Sequence, residues 1–318
     1  MAITQDQTEW FKSVFDRLAD NVESVILGKQ HVIRLALTAA VAEGHLLLED
    51  VPGTGKTSLA RALGQSISGT VTRIQFTPDL LPGDVTGMTV YDQKTGEFEF
   101  HRGPVFANIV LADEINRASP KTQSALLEVM EERNVTIDGV SRSVGLPFLV
   151  IATQNPVEQA GTYRLPEAQL DRFILKTSIG YPDHASMVQI IDGSAGQVTL
   201  DPVVTPDTLL TMADVARAVY IDPLVTDYIA RIIDATRTAV QVRLGSSVRG
   251  GLALAKTSRA WAASQGRGYV TPDDVKGLAQ SVLAHRLILD PEAEFDGVTP
   301  EAVISQIILD VQPPVKHQ

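Results

Sequence analysis

The sequence predicts an α/β fold: a parallel sheet flanked by helices over residues 1–182, followed by a small all-helical domain over 183–318. Three observations predict it. Through the first half, short apolar runs bounded by turn residues alternate with helical periods, the pattern of a parallel sheet. A strand, a glycine-rich loop and a helix follow one another at 46–67. After about residue 182 the apolar spacing is helical almost throughout.

Taken in order, residues 5–20 form an amphipathic helix with Trp10, Phe11, Val14, Phe15 and Leu18 on one face. The run HVIRLALTAAVAEG is a second helix that ends on Gly44. Leu46, Leu47 and Leu48 make a buried strand, broken by Asp50, Val51 and Pro52, and Gly53-Thr54-Gly55 then wraps into Lys56-Thr57 and a helix. A second strand covers 71–76. Two alternating segments near 88–91 and 97–101 flank Lys94-Thr95-Gly96, which marks a hairpin. ANIVLADE (107–114) is a third strand running into two acids, and Ser119-Pro120 supplies the N-cap and first position of the helix after it. Asp138-Gly139 is the tip of a second hairpin over 135–144. A fourth strand at 147–155 ends in Asn155, and a fifth spans roughly 173–179. The segment 193–206 reads as a loop near the join to the helical part.

Composition narrows the chemistry. The 318 residues allow about two domains. No apolar run approaches the roughly 18 residues of a membrane helix, and the amphipathic first twenty residues show neither a signal nor a transit pattern, so a cytoplasmic location is expected. The absence of cysteine excludes disulfides, thiolate metal sites and cysteine nucleophiles. The six histidines form no H-x-x-x-H pair. Net charge is −11, neither half is basic and no Lys/Arg run occurs, so nucleic acid is not the expected partner. A few basic residues lining a pore in an oligomer could escape that count.

The stretch LLLEDVPGTGKT carries the chemistry. Glycines let a backbone turn its N–H groups inward, and a new helix adds the positive end of its dipole. Pro52, Gly53, Thr54, Gly55, Lys56, Thr57 and Ser58 are therefore the expected cradle for ATP, with Lys56 reaching the β- and γ-phosphates and Thr57 holding Mg²⁺. Asp50 stands where the pattern has its first glycine, and is expected to turn the chain by bonding its own backbone. Asp113 at the end of the third strand would serve the Mg²⁺ shell, and Glu114 would polarise the attacking water. Asn155, at the end of a strand beside the loop, can bond a γ-phosphate oxygen and the lytic water.

The phrases EDVPGTGKT, GPVFANIVLADEINRASPKTQSALLEVMEER, IATQNPVEQAGTYRLPEAQLDRF and GSSVRG resemble the MoxR family of AAA+ ATPases over about residues 20–300. The two hairpins resemble that branch's inserts. The resemblance implies an arginine finger at Arg172, acting on a neighbouring subunit's ATP; the plainer alternative is a salt bridge to Asp171 or Glu167. It implies a nucleotide-sensing arginine at Arg249, although Val248 stands where the family often has proline, as does Arg164. Val25, Ile26, Leu27 and Gly28 resemble the segment lining the adenine pocket. Glu131 and Glu132 read as a solvated helix end. The function implied is a Mg²⁺-ATP-driven, chaperone-like remodeller working as a homo-hexameric ring, with a von Willebrand factor A-domain protein and a client supplied in trans. The rival readings are a nucleic-acid-stimulated motor on the same core and a nucleotide-gated scaffold without turnover.

Overall fold

The computed structural model describes residues 3–155, 163, 165–192 and 200–314. Helices α1 (Gln5–Glu23) and α2 (Gln30–Val41) lead into β1 (His45–Glu49), α3 (Lys56–Ser66) and β2 (Val71–Gln75). A short α4 (Pro82–Thr86) opens the first hairpin, β3 (Gly87–Asp92) and β4 (Glu97–Arg102). Next come β5 (Ile109–Asp113), a 3-10 turn at Ile115–Arg117, α5 (Pro120–Glu132), and the second hairpin, β6 (Asn134–Ile137) and β7 (Val140–Ser143). The α/β part closes with β8 (Leu149–Gln154), α6 (Glu167–Leu170) and β9 (Phe173–Thr177). The remainder holds α7 (His184–Ile191), α8 (Pro206–Ala218), α9 (Pro223–Thr238), β10 (Val242–Leu244), α10 (Val248–Ser264), α11 (Pro272–Leu283), β11 (Ile288–Leu289), α12 (Pro291–Phe295) and α13 (Pro300–Asp310).

Five strands pair in parallel in the order β2-β5-β8-β1-β9. Because side chains alternate across a strand, Leu46 and Leu48 enter one core while Leu47 enters the other. The Leu47 side packs on α5 through Leu126, Leu127 and Met130. The Leu46 side meets α1, α2 and α3, and the carboxy-terminal helices share that core: Met212, Leu254 and Leu278 belong to one cluster with Leu18, Ile33 and Leu46. The carboxy-terminal helices are thus clamped to one sheet face, with α8 and α10 against α1 and α2. The expected division at 182/183 falls just before α7, and the buried cluster runs across it. On α1 the buried stripe is Phe11, Val14, Phe15, Leu18, Ala19 and Val22, whereas Trp10, expected on that face, lies at its margin and is 37% exposed.

Both hairpins form as the sequence indicated. Asp138 and Gly139 each have positive φ, the backbone that a two-residue hairpin turn matching strand twist demands. The first hairpin pairs Tyr91 with Phe98 across its strands, and Phe98 is 74% exposed. Arg142 of β7 stacks 4.1 Å over the Phe100 ring of β4, so the hairpins touch.

His45, buried at the start of β1, ties strands to helix. Its Nδ1 accepts the Val150 N–H at 3.0 Å, which leaves Nε2–H to donate to the Met130 carbonyl at 3.0 Å. Burial lowers its pKa to about 4. The folded chain then refuses a proton that the unfolded chain accepts below its ordinary value of about 6.5, so stability held above that pH is lost as pH falls toward 4. The loss should approach about 3 kcal/mol from this residue alone. A His45→Gln variant, which can keep both hydrogen bonds, should show a flatter fall in urea midpoint between pH 6.5 and 4.

Candidate active site

At the start of α3, Gly53 and Gly55 have φ of +84° and +93°, and no atom lies within 4 Å of where a Cβ would sit on either. The loop is therefore an open cradle that side chains would fill. Helices α1, α5, α7 to α11 and α13 each close their first turn with a Ser, Thr or Asp side chain, but α3 has no such cap. Its leading N–H groups, at Lys56, Thr57 and Ser58, are left without a side-chain cap, the arrangement that suits an anion. Lys56 Nζ donates to the loop's own carbonyls, Val51 at 2.8 Å and Asp50 at 3.3 Å. That folded-back pose holds the ammonium beside the cradle.

The acids lie at the same end of the sheet. Strands β5, β8 and β1 are adjacent, and Asp113, Asn155 and the glycine-rich loop follow their carboxyl ends. Asp113 Oδ2 accepts from Arg73 at 2.6 and 3.2 Å, and Oδ1 from the Thr153 hydroxyl at 2.7 Å. Thr153, 1% exposed, also accepts the Glu114 N–H at 2.8 Å. Glu114 adopts left-handed φ +57°, ψ +49°, an unfavourable backbone for a side chain with a Cβ, and Thr153 holds it there. Its Oε2 accepts from Gln75 at 2.7 Å and Arg117 at 3.0 Å. Asn155 is buried at 8% exposure. An N–H cradle, an ammonium, a hydroxyl at Thr57 and a fixed carboxylate at Asp113 together suit a triphosphate carrying a divalent cation. Thr153, Arg73 and Gln75 had no sequence signal of their own, since each is recognisable only from its contact with Asp113 or Glu114.

Asp50 behaves differently from the expected self-bonded turn. Its buried carboxylate accepts backbone N–H groups 129 and 130 residues on, Ile179 at 2.5 Å and Gly180 at 3.0 Å. A glycine there could turn the chain but could not anchor the segment leaving β9. That segment also meets the linker after α1: Lys29 Nζ donates to the Tyr181 carbonyl at 2.7 Å, and Gly28, with φ +67°, lies against Asp183 and Ser186. Ile26 is buried and Leu27 half-buried beside it. The linker at Gly28–Lys29 and Asp50 before the loop thus both touch the segment 179–186.

Arg172 and Arg249 are placed elsewhere. His45 pairs with Phe173 in the sheet, so Arg172 stands at the amino ends of the strands, opposite the glycine-rich loop. Five strand residues separate the two ends by roughly 16 Å. Arg249 joins Arg172, not the loop of its own chain: Glu131 accepts from Arg172 Nε at 2.9 Å and from Arg249 at 2.6 Å. Glu131 is the exposed helix end the sequence suggested, but it also pairs with both arginines, and Arg172 is paired with neither Asp171 nor Glu167. The Arg172 hydrogen bond and charge, then the Arg249 charge, hold the Glu131 carboxyl below the usual carboxylate range. Behind them, buried Arg286 binds the Asp171 carboxylate and donates to the Phe173 carbonyl at 2.8 Å. These groups line one cavity of about 270 Å³, which also takes in Arg133 and Lys256. Val248 leaves the turn before Arg249 intact, because Ser247 caps α10 and Val248 occupies its exposed first position, where no N–H partner is required. Arg164 and Pro156 lie outside the described residues.

Comparison with known proteins gives the class first. The ATPase family associated with various cellular activities (AAA) matches residues 45–175, and the AAA lid domain matches 234–307. A solved structure from Cytophaga hutchinsonii superposes with a TM-score of 0.91 at 37% identity over 98% of both chains. Fold and site are those of an ATP-hydrolysing P-loop enzyme. Among curated relatives, Chaperone MoxR1 of Mycobacterium tuberculosis is 40% identical, covering 94% of this chain and 82% of its own length. The uncharacterized protein YeaC of Bacillus subtilis is 48% identical over 95% of both. The chain belongs to the MoxR family of AAA+ ATPases.

Proposed function

We propose that this ATPase is a ring-forming, chaperone-like remodeller whose subunits complete one another's sites. The observation that carries it is the placement of Arg172 and Arg249 together at the end of the sheet opposite the P-loop. Neither can serve its own nucleotide across that distance, whereas a neighbour docked end to end would receive both. The cavity supports this reading: its lining holds five basic residues (Arg133, Arg172, Arg249, Lys256 and Arg286) against three acids (Glu43, Glu131 and Asp171), a surplus suited to phosphate.

In the proposed site, Pro52 to Ser58 cradle the triphosphate and Lys56 turns from the loop carbonyls to the phosphates. Thr57 and Asp113 hold Mg²⁺, which when bound screens phosphate charge. Glu114, aimed by Thr153 and Gln75, accepts the proton of the attacking water, and Asn155 orients that water. The neighbour's Arg172 meets charge developing on the γ-phosphate, and the neighbour's Arg249 senses the nucleotide. Ile26, Leu27 and Gly28 flank the base. A homo-hexamer is the proposed ring and the cytoplasm the proposed location; among the described residues no helix is long and apolar enough to cross a membrane. The touching hairpins, with exposed Phe98 and Tyr91, are the proposed client-facing parts, and MoxR1's designation as a chaperone supports that role. A von Willebrand factor A-domain protein and the client would come in trans.

The test is dilution. Specific ATPase activity should rise with subunit concentration and level off where sizing in ATP shows assemblies. Constant specific activity from a species that stays monomeric would rule out shared sites.

A further inference from the structure

We infer that Glu131 is the positioning residue for the trans-acting arginines, holding Arg172 and Arg249 side by side so that they reach the neighbour's nucleotide as one preformed pair. This rests on the shared-site reading above.

Two guanidinium groups repel, and a single carboxylate between them lets both occupy one place. Glu131 does this economically: each oxygen takes one arginine, Oε2 from Arg172 Nε and Oε1 from one terminal nitrogen of Arg249. Among the described residues the terminal nitrogens of Arg172 make no hydrogen bond, so its fork stays available at the cavity. The backbone is fixed by a second carboxylate. Asp171 binds buried Arg286 and accepts from Ser247, the residue that caps the helix of Arg249, at 3.0 Å. Asp171 thus sets where the two arginines leave the chain, and Glu131 sets where their heads meet.

The helix itself does not favour an acid at this position. Glu131 and Glu132 occupy the last turn of α5, where the helix dipole disfavours negative charge and no basic residue is present. Helix α5 begins just after Glu114, the 3-10 turn and the Ser119 cap. The same helix therefore spans from the subunit's own catalytic carboxylate to the arginines it offers its neighbour. Any shift of α5 on ATP turnover moves the pair directly.

Subunit mixing tests this. Glu114→Gln subunits supply arginines without hydrolysing, and Arg172→Ala subunits hydrolyse only when a neighbour supplies them. Recovery of turnover in that mixture establishes the shared site; no recovery refutes the shared-site reading itself. Donors carrying Glu114→Gln and Glu131→Gln together should then restore kcat about tenfold less well, the loss of one charge-assisted anchor, with KM for ATP within about twofold. Glu131→Asp donors, which keep the charge, should recover part of the difference. Glu131→Gln placed instead in the Arg172→Ala acceptor should change nothing. The melting temperature of Glu131→Gln subunits should fall only slightly, because both ion pairs it loses are part-exposed and screened by water. Full recovery from Glu131→Gln donors, a loss that follows the acceptor, or a fall in melting temperature that accounts for the deficit would each overturn the inference.

Discussion

Replacing Arg172 with Ala is expected to lower ATP turnover by roughly three to five orders of magnitude, the range that trans-supplied arginines contribute in P-loop enzymes. ATP affinity should hardly change, because Arg172 stands at the far end of the sheet from its own P-loop and contacts Glu131. That combination separates a finger from a residue lining the pocket of its own chain. The check is kcat measured at saturating ATP beside equilibrium binding of a fluorescent ATP analogue. Weakened binding with modestly lowered kcat would place the residue in its own site instead.

The Glu114→Gln change should remove about two to four orders of magnitude from kcat, the contribution of a positioned general base, and should trap the ATP-bound state. Gln preserves the shape of the side chain and cannot take a proton, while Thr153 still holds the backbone N–H in its left-handed turn. Single-turnover hydrolysis alongside retention of bound ATP reads both effects. Such a subunit is also the bait for the unidentified client, with Lys56→Ala, which loses the phosphate contact, as its control. Unchanged consumption of ATP by Glu114→Gln would remove Glu114 as the base and leave Asp113 and Thr57 with binding roles only.

Where a backbone conformation depended on local chemistry, the sequence was sufficient. A loop of glycines between an apolar strand and a helix suits an anion, and Gly53 and Gly55 take the positive φ that glycine permits. Ser119-Pro120 and Asp138-Gly139 likewise carry their backbone conformations in their own chemistry, and both formed as expected. Short apolar runs identified the five strands of the sheet and helical spacing most helices, because each follows from which faces must leave water.

What the tertiary structure alone decided were contacts between residues distant in the chain. Asp50 looked like a defect in a motif until its carboxylate met the N–H groups of Ile179 and Gly180, 129 and 130 residues away. Thr153 looked like an ordinary strand residue, yet it holds the Glu114 backbone and the Asp113 carboxylate from 39 and 40 residues off. Glu131 read as a surface charge and proved to join two arginines, one of them 118 residues further on. Side-chain type and spacing fix which conformations a segment can adopt. They do not say which carboxylate will lie opposite which guanidinium, because that follows from the order of strands in the sheet and from the face on which the lid is packed.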